Sequence, residues 1–342
     1  MSQRIEDIAI AMVGEGQGIL AADESTGTIQ KRFDAIKVEN SEANRREYRE
    51  MLFRASEAMN KYISGVILFE ETLYQMAADG TPLVDLIRKA GAVAGIKVDK
   101  GAVLLPGSKI ETVTEGLDGL RARLAKYHEA GARFAKWRGV ITIADAAPSW
   151  NCIKANAHAL ARYAVLCQEA GIVPIVEPEV VMDGPYSHHG IERCAEVTAL
   201  VLKIQFAELH DAGVRLDGMV LKPNMVVPGQ KSGETASIEE VAERTVRVLK
   251  AIVPSAVPGI AFLSGGQSDE AATAHLSAMN AMFDLPWKLT FSYGRALQAA
   301  ALFAWSGKKK NLAAGQRAFT HRAKMNGLAA LGNWNAELEK GA

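Results

Sequence analysis

Four Ala-Gly pairs set the strongest constraint on the fold. Ala90-Gly91, Ala130-Gly131, Ala170-Gly171 and Ala212-Gly213 recur about every 40 residues, each after a helix-patterned stretch and before a short apolar run. Glycine there suits a helix C-cap, because it takes the left-handed backbone conformation without steric cost. The apolar runs at 18–22, 65–69, 93–98, 133–137, 172–176, 218–221, 260–263 and 288–291 make eight candidate strands. Helical pattern separates most of them, so they read as parallel β/α units. Eight units favour a closed (β/α)8 TIM barrel over an open sheet. With no linker or composition break, residues 1–342 read as one domain with a short C-terminal tail from about residue 320.

The helices carry their own signals. Tyr48, Met51, Leu52, Ala55, Met59 and Tyr62 fall at spacings of three and four and predict one early helix. Leu117, Leu120, Leu124 and Tyr127 predict another. Ser237-Ile238-Glu239-Glu240 has the spacing of a capping box, and Thr81-Pro82 starts a short helix with proline at its first position.

Nearly every candidate strand ends in a polar or charged residue: Asp23, Glu70, Lys97, Lys136, Glu177, Lys222, Ser264 and Ser292. Barrels of this kind place their chemistry at the C-terminal ends of the strands, with residues drawn from several strands at once. Strand ends that meet solvent are often polar for no further reason, so the individual residue types matter. Lys97, Lys136 and Lys222 point to one mouth, and Arg138 shares a strand face with Lys136. Crowded cations favour the neutral form of at least one amine, which can attack a carbonyl. Equally, the same cluster, fully charged, can hold phosphate. Glu177 and Glu179 close one strand and Asp23 another; such carboxylates can shuttle protons or merely neutralise the lysines.

The last two units predict an anion site. Ser264-Gly265-Gly266-Gln267 precedes a helix beginning near Ser268, and Ser292-Tyr293-Gly294-Arg295 follows the eighth run. Glycine lets the backbone approach an anion, helix-start N–H groups face it, and Arg295 adds a bidentate donor. Ser25, Thr28, Lys31 and Arg32 are candidates for a second phosphate.

Other features narrow the function. Lys+Arg and Asp+Glu both number 39, leaving no global field for nucleic acid or an anionic membrane. Cys152, Cys167 and Cys194 show no pairing pattern, the early sequence lacks a signal-peptide core, and no apolar run is long enough to span a membrane. These features predict a cytoplasmic protein. The seven histidines form no metal-binding set, since His188 and His189 are adjacent and point apart. Lys308-Lys309-Lys310 reads as a solvated surface run.

Taken together, the segments resemble the class I fructose-bisphosphate aldolases. They are Leu20-Ala21-Ala22-Asp23-Glu24-Ser25-Thr26-Gly27, Gly95-Ile96-Lys97-Val98-Asp99-Lys100-Gly101, Ala135-Lys136-Trp137-Arg138, Val176-Glu177-Pro178-Glu179, Leu221-Lys222-Pro223-Asn224-Met225, Leu263-Ser264-Gly265-Gly266-Gln267 and Phe291-Ser292-Tyr293-Gly294-Arg295-Ala296-Leu297-Gln298, in family order. The resemblance implies cleavage of fructose 1,6-bisphosphate without a metal or other cofactor, on a phosphorylated sugar substrate, in a cytoplasmic homotetramer. It implies that Lys222 forms the Schiff base, Glu177 is the acid/base, Asp23 the base at the cleaved bond, and Lys136 a cationic stabiliser. Glu179 and Arg138 would support that group. Lys97, Arg295, Ser264, Gly265 and Gly266 would hold phosphate, with Arg45 a further substrate contact.

One departure stands out. Many relatives end in a tyrosine that assists protonation of the enamine, whereas the last aromatic residue here is Trp334. The resemblance then implies that this proton comes from Glu177 or the substrate's own phosphate, or that the step is slow. Two rivals remain at this level: another Schiff-base barrel enzyme, such as a transaldolase or a deoxyribose-phosphate aldolase, and a barrel that binds without turnover.

Overall fold

The computed structural model describes residues 4–341. Eight parallel strands close into a barrel: β1 (Gly18–Ala22), β2 (Ile63–Leu68), β3 (Val93–Lys97), β6 (Phe134–Ile141), β7 (Val173–Val180), β8 (Val220–Leu221), β9 (Gly259–Phe262) and β10 (Lys288–Tyr293). A hairpin of β4 (Gly101–Leu104) and β5 (Thr112–Glu115), which the apolar pattern does not announce, lies outside the barrel. All eight expected runs become barrel strands. The four repeat glycines, Gly91, Gly131, Gly171 and Gly213, each take positive φ (84°, 103°, 70° and 72°) just past a helix end. Serine caps start several helices, with Ser237 accepting from the Glu240 N–H and Ser268 from the Ala271 N–H.

Alternation along the strands sorts residues between two cores. Leu20, Ala22, Trp137 and Val176 face outward into the layer between strands and helices, while Ile19, Ala21, Ile67, Phe134, Val173, Ile175, Val220 and Ala261 fill the barrel interior. The helix Ile5–Met12 closes the N-terminal mouth, placing Ile5, Ile8, Ala9 and Met12 in the same interior cluster. One end of the barrel is thus sealed with apolar groups, leaving the opposite mouth for charge.

The interior is fitted around Phe134. A Cβ at Gly95 would lie 2.3 Å from the Phe134 ring, and one at Gly65 would lie 3.1 Å from it. Gly95→Ala should therefore destabilise the protein by about 1–3 kcal/mol, the ordinary cost of overpacking a filled core. Urea unfolding checks this, and an unchanged midpoint would show that the ring can move aside.

Three details differ from the sequence expectations. The early helix is two helices, Glu42–Phe53 and Ser56–Lys61, because Ala55 leaves helical geometry (ψ 77°) and the chain turns there toward β2. Pro82 precedes the helix Leu83–Lys89 as its N-cap instead of opening it. The last long helix, Leu312–Ala330, buries Phe319, Ala323 and Ala329, so the residue at which a tail was expected lies inside a packed helix.

Candidate active site

The open mouth holds a cavity of about 450 Å³. Alternation carries chemistry up the inner wall: Phe134 and Lys136 succeed one another on β6, with Arg138 next, and Val173, Ile175, Glu177 and Glu179 do so on β7. Lys136 and Glu177 lie within these strands and not at their ends, because β6 and β7 stay paired up to Ile141 and Val180. Lys97 closes β3, opposite Lys136 in register. Asp23 and Lys222 directly follow β1 and β8.

The cluster is a chain of alternating charge. Lys222 Nζ is 3.1 Å from Glu177 Oε1, Lys136 Nζ is 3.4 Å from Glu177 Oε2, and Lys136 Nζ is 2.8 Å from Asp23 Oδ2. Lys97 Nζ meets Asp99 Oδ1 at 2.6 Å, and Arg138 Nε donates to Glu179 Oε2. Lys136, Glu177 and Lys222 are buried. Burial would raise the Asp23 carboxyl, but Lys136, Lys222 and Lys97 outweigh it and bring its pKa down to about 2. Burial pulls the Lys136 ammonium down, and Asp23, Glu177 and Asp99 more than reverse that, leaving it raised. The Glu179 carboxylate raises the Arg138 guanidinium. The carboxylates that interleave the lysines keep Lys136 protonated despite the crowding of cations.

The anion loops also reach the cavity. Ser264, Gly265, Ser292, Gly294 and Arg295 line it, as do Ser25, Thr28 and Arg32, and the Arg32 guanidinium lies close to Gly294. Ser292 Oγ is buried without a hydrogen-bond partner, a hydroxyl left for a ligand. Gly294 is followed at once by the helix Arg295–Trp305, and the helix Asp269–Met282 starts just beyond Ser264-Gly265-Gly266-Gln267. Arg295, the first residue of its helix, lines this mouth together with Gly294, while Ser268 and Ala271 at the start of the other helix line the neighbouring cavity with Gly266. Arg295 Nη2 donates to the Gln267 carbonyl, which ties the two loops together.

Three expected contacts are not brought to this wall, and neither is one strand-end carboxylate. Lys31 is exposed on the helix Thr26–Ala35. Arg45 is held by Glu71 (Nη2 to Oε2, 2.5 Å) and by Asn40. Gly266, with φ of 76°, backs onto Met182, where a Cβ would come within 2.5 Å of the Met182 Cβ, and it lines a separate cavity. Glu70 accepts from the Tyr127 hydroxyl and starts a short helix. Conversely, Glu24 and Asp183 line the cavity without having been singled out. Adjacency to Asp23 was the available signal for Glu24; Asp183 lies beyond the strand end and offered none.

Comparison with known proteins agrees with this geometry. The family model for class I fructose-bisphosphate aldolase matches residues 4–342. The chain is 55% identical to a probable fructose-bisphosphate aldolase class 1 of Xanthomonas campestris pv. campestris, covering 97% of this chain and 98% of that protein. It is 56% identical to cytosolic fructose-bisphosphate aldolase 4 of Arabidopsis thaliana, over 95% of this chain and 82% of that one. A solved structure of the Plasmodium falciparum fructose-bisphosphate aldolase, in complex with TRAP and a small-molecule inhibitor, superposes with a TM-score of 0.94 at 49% identity, covering 97% and 95% of the two chains. The chain therefore belongs to the class I fructose-bisphosphate aldolase family.

Proposed function

We propose that this cavity cleaves fructose 1,6-bisphosphate reversibly to dihydroxyacetone phosphate and glyceraldehyde 3-phosphate, with Lys222 as the Schiff-base nucleophile. The observation that carries the assignment is the chain of contacts Lys222–Glu177–Lys136–Asp23, in which a buried amine lies 3.1 Å from a carboxylate able to move protons to and from it. The Lys222 amine, as its free base, adds to the C2 ketone. Glu177 protonates the carbinolamine hydroxyl, water leaves, and the resulting iminium is the electron sink. Asp23 accepts the C4 hydroxyl proton, the C3–C4 bond breaks, and its electron pair passes into the iminium to give an enamine. Glyceraldehyde 3-phosphate departs. Protonation at C3 and hydrolysis then return Lys222 and release dihydroxyacetone phosphate. Lys136, held as an ammonium between Asp23 and Glu177, stabilises negative charge developing on substrate oxygen. Arg138 and Glu179 fix the wall beside it.

As a class I enzyme it needs no metal, because the iminium does the work of a Lewis acid. The substrate's C1 phosphate fits Ser264, Gly265, Ser292, Gly294 and Arg295, the C6 phosphate fits Ser25, Thr28 and Arg32, and Lys97 lines the same cavity from β3. The proposed assembly is a homotetramer in the cytosol. The cytosolic Arabidopsis relative supports the compartment, and no helix among the described residues is long and apolar enough to cross a membrane. Sedimentation tests the assembly.

The deciding experiment mixes the protein with dihydroxyacetone phosphate and EDTA, adds borohydride, and locates the reduced adduct by mass spectrometry. The expected result is a single adduct on Lys222. An adduct on Lys97 or Lys136 would reassign the nucleophile, and no adduct in folded protein would remove Schiff-base chemistry altogether.

A further inference from the structure

Behind the C6-phosphate residues lies a buried arginine whose charge is only half used. Arg49 is 1% exposed, yet its Nε and Nη1 have no hydrogen-bond partner. Its one direct bond runs from Nη2 to the Glu24 carbonyl at 3.0 Å. The two carboxylates near it stand off: Glu24 Oε2 is 3.7 Å from Nη2, and Glu71 Oε1 is 3.5 Å from Nη1. Glu24 Oε2 is itself buried and unpartnered. Burial lowers the Arg49 guanidinium below its ordinary pKa, and Glu24 and Glu71 offset only part of that. A buried guanidinium with two unpartnered nitrogens beside a buried carboxylate oxygen that also lacks a partner is costly and calls for a reason.

Glu24 Oε1 supplies that reason. It accepts from Arg32 Nη1 and from Gln298 Nε2, the latter at 2.9 Å. Arg32 is also the cation that faces the cavity beside Ser25 and Thr28. An incoming phosphate there competes with Glu24 for Arg32. If Arg32 turns to the phosphate, Glu24 keeps a single side-chain hydrogen bond, from Gln298, with Arg49 standing off at 3.7 Å and a dianion close by.

We propose that Arg49 is a positioning residue that holds a positive charge in reserve for Glu24, closing the 3.7 Å gap when Arg32 exchanges Glu24 for the substrate's C6 phosphate. The inference rests on the reading of Ser25, Thr28 and Arg32 as the C6-phosphate site. Arg49 touches no substrate and acts only through Glu24. It lets Arg32 bind phosphate without leaving an isolated buried charge behind.

Kinetics with two substrates test this. Fructose 1-phosphate lacks the C6 phosphate and never asks Arg32 to leave Glu24. Arg49→Met should lower kcat/KM for fructose 1,6-bisphosphate about tenfold, mainly through KM, and change fructose 1-phosphate cleavage less than twofold. Arg49→Lys, which keeps the charge, should recover most of the loss. Equal losses on both substrates would mean a merely structural arginine and overturn the proposal, as would an unchanged bisphosphate KM. If Arg49→Met does not fold, Glu24→Gln/Arg49→Met removes the stranded charge together with its partner. Its bisphosphate selectivity should lie within twofold of Glu24→Gln alone, and a further tenfold loss would sink the idea. Arg32→Ala separates the two levels. If it leaves the preference for the bisphosphate intact, the phosphate site itself is misassigned; if it abolishes that preference while Arg49→Met does not alter it, only the Arg49 inference fails.

Discussion

Lys222→Met should lose turnover of fructose 1,6-bisphosphate by roughly a millionfold, the scale seen when a covalent nucleophile is removed from a site whose other groups depend on it. No other group replaces it. Lys97 is tied to Asp99 at 2.6 Å, and Lys136 is held as an ammonium by Asp23 and Glu177, so neither presents a free amine to the C2 carbonyl. Folding should survive, because Glu177 keeps Lys136 as a counter-ion and methionine nearly matches the lysine stem in shape. Phosphate binding should survive too, since the anion loops come from other strands. Competition by inorganic phosphate against a fluorescent phosphate ligand, alongside stopped assays and borohydride trapping, reads all three. A variant that retained even a thousandth of wild-type turnover would mean that another amine carries the chemistry.

Removing Lys136 should do two things at once. In Lys136→Met, kcat should fall by roughly 10³-fold, the usual cost of losing a group aimed at charge that develops in the transition state. Stability should fall by about 3–5 kcal/mol, because Asp23 and Glu177 lose their shared buried cation. The pH dependence separates this from a packing effect. In the intact protein the Asp23 pKa is lowered from 3.8 to about 2. The folded state therefore binds protons less readily than the unfolded chain. Asp23 thus adds stability above about pH 3.8, on the order of 2 kcal/mol, and that contribution is lost as pH falls toward 2. The variant should lack much of this acid-side loss, so the stability difference between the two proteins should narrow between pH 4 and pH 2. Urea titrations at a series of acid pH values measure it. A constant difference across that range would show that Lys136 does not set the Asp23 proton affinity.

Much of the molecule was legible in the chain because its signals are local. An apolar run, a capping serine or a helix-ending glycine acts within a few residues. Ser237 and Gly171 therefore do in the structure what their neighbours predict. Where local signals competed, prediction failed. The spacing of Tyr48 to Tyr62 is helical throughout, but the break at Ala55 comes from the need to turn into β2. The helix Ile5–Met12 has an ordinary amphipathic pattern, and nothing in that pattern says that it plugs a barrel.

The site divides in the same way. Sequence alone determined the strand–helix repeat, the residue types at the strand ends, and the motif order that places Lys222, Glu177, Asp23 and Lys136 in one family pattern. Alternation then dictates which of them point inward once a strand exists. Tertiary structure decided the partners. Lys136 sits between Asp23 and Glu177, residues that lie far from it and from each other along the chain. It keeps its proton for that reason, whereas cation crowding alone left open which of the three lysines does. Arg45 was captured by Glu71, and Arg49 was left facing Glu24 across a gap. The physical cause is that proton affinity depends on distance and desolvation across the whole barrel mouth, and neither is written in the spacing of residues along one strand.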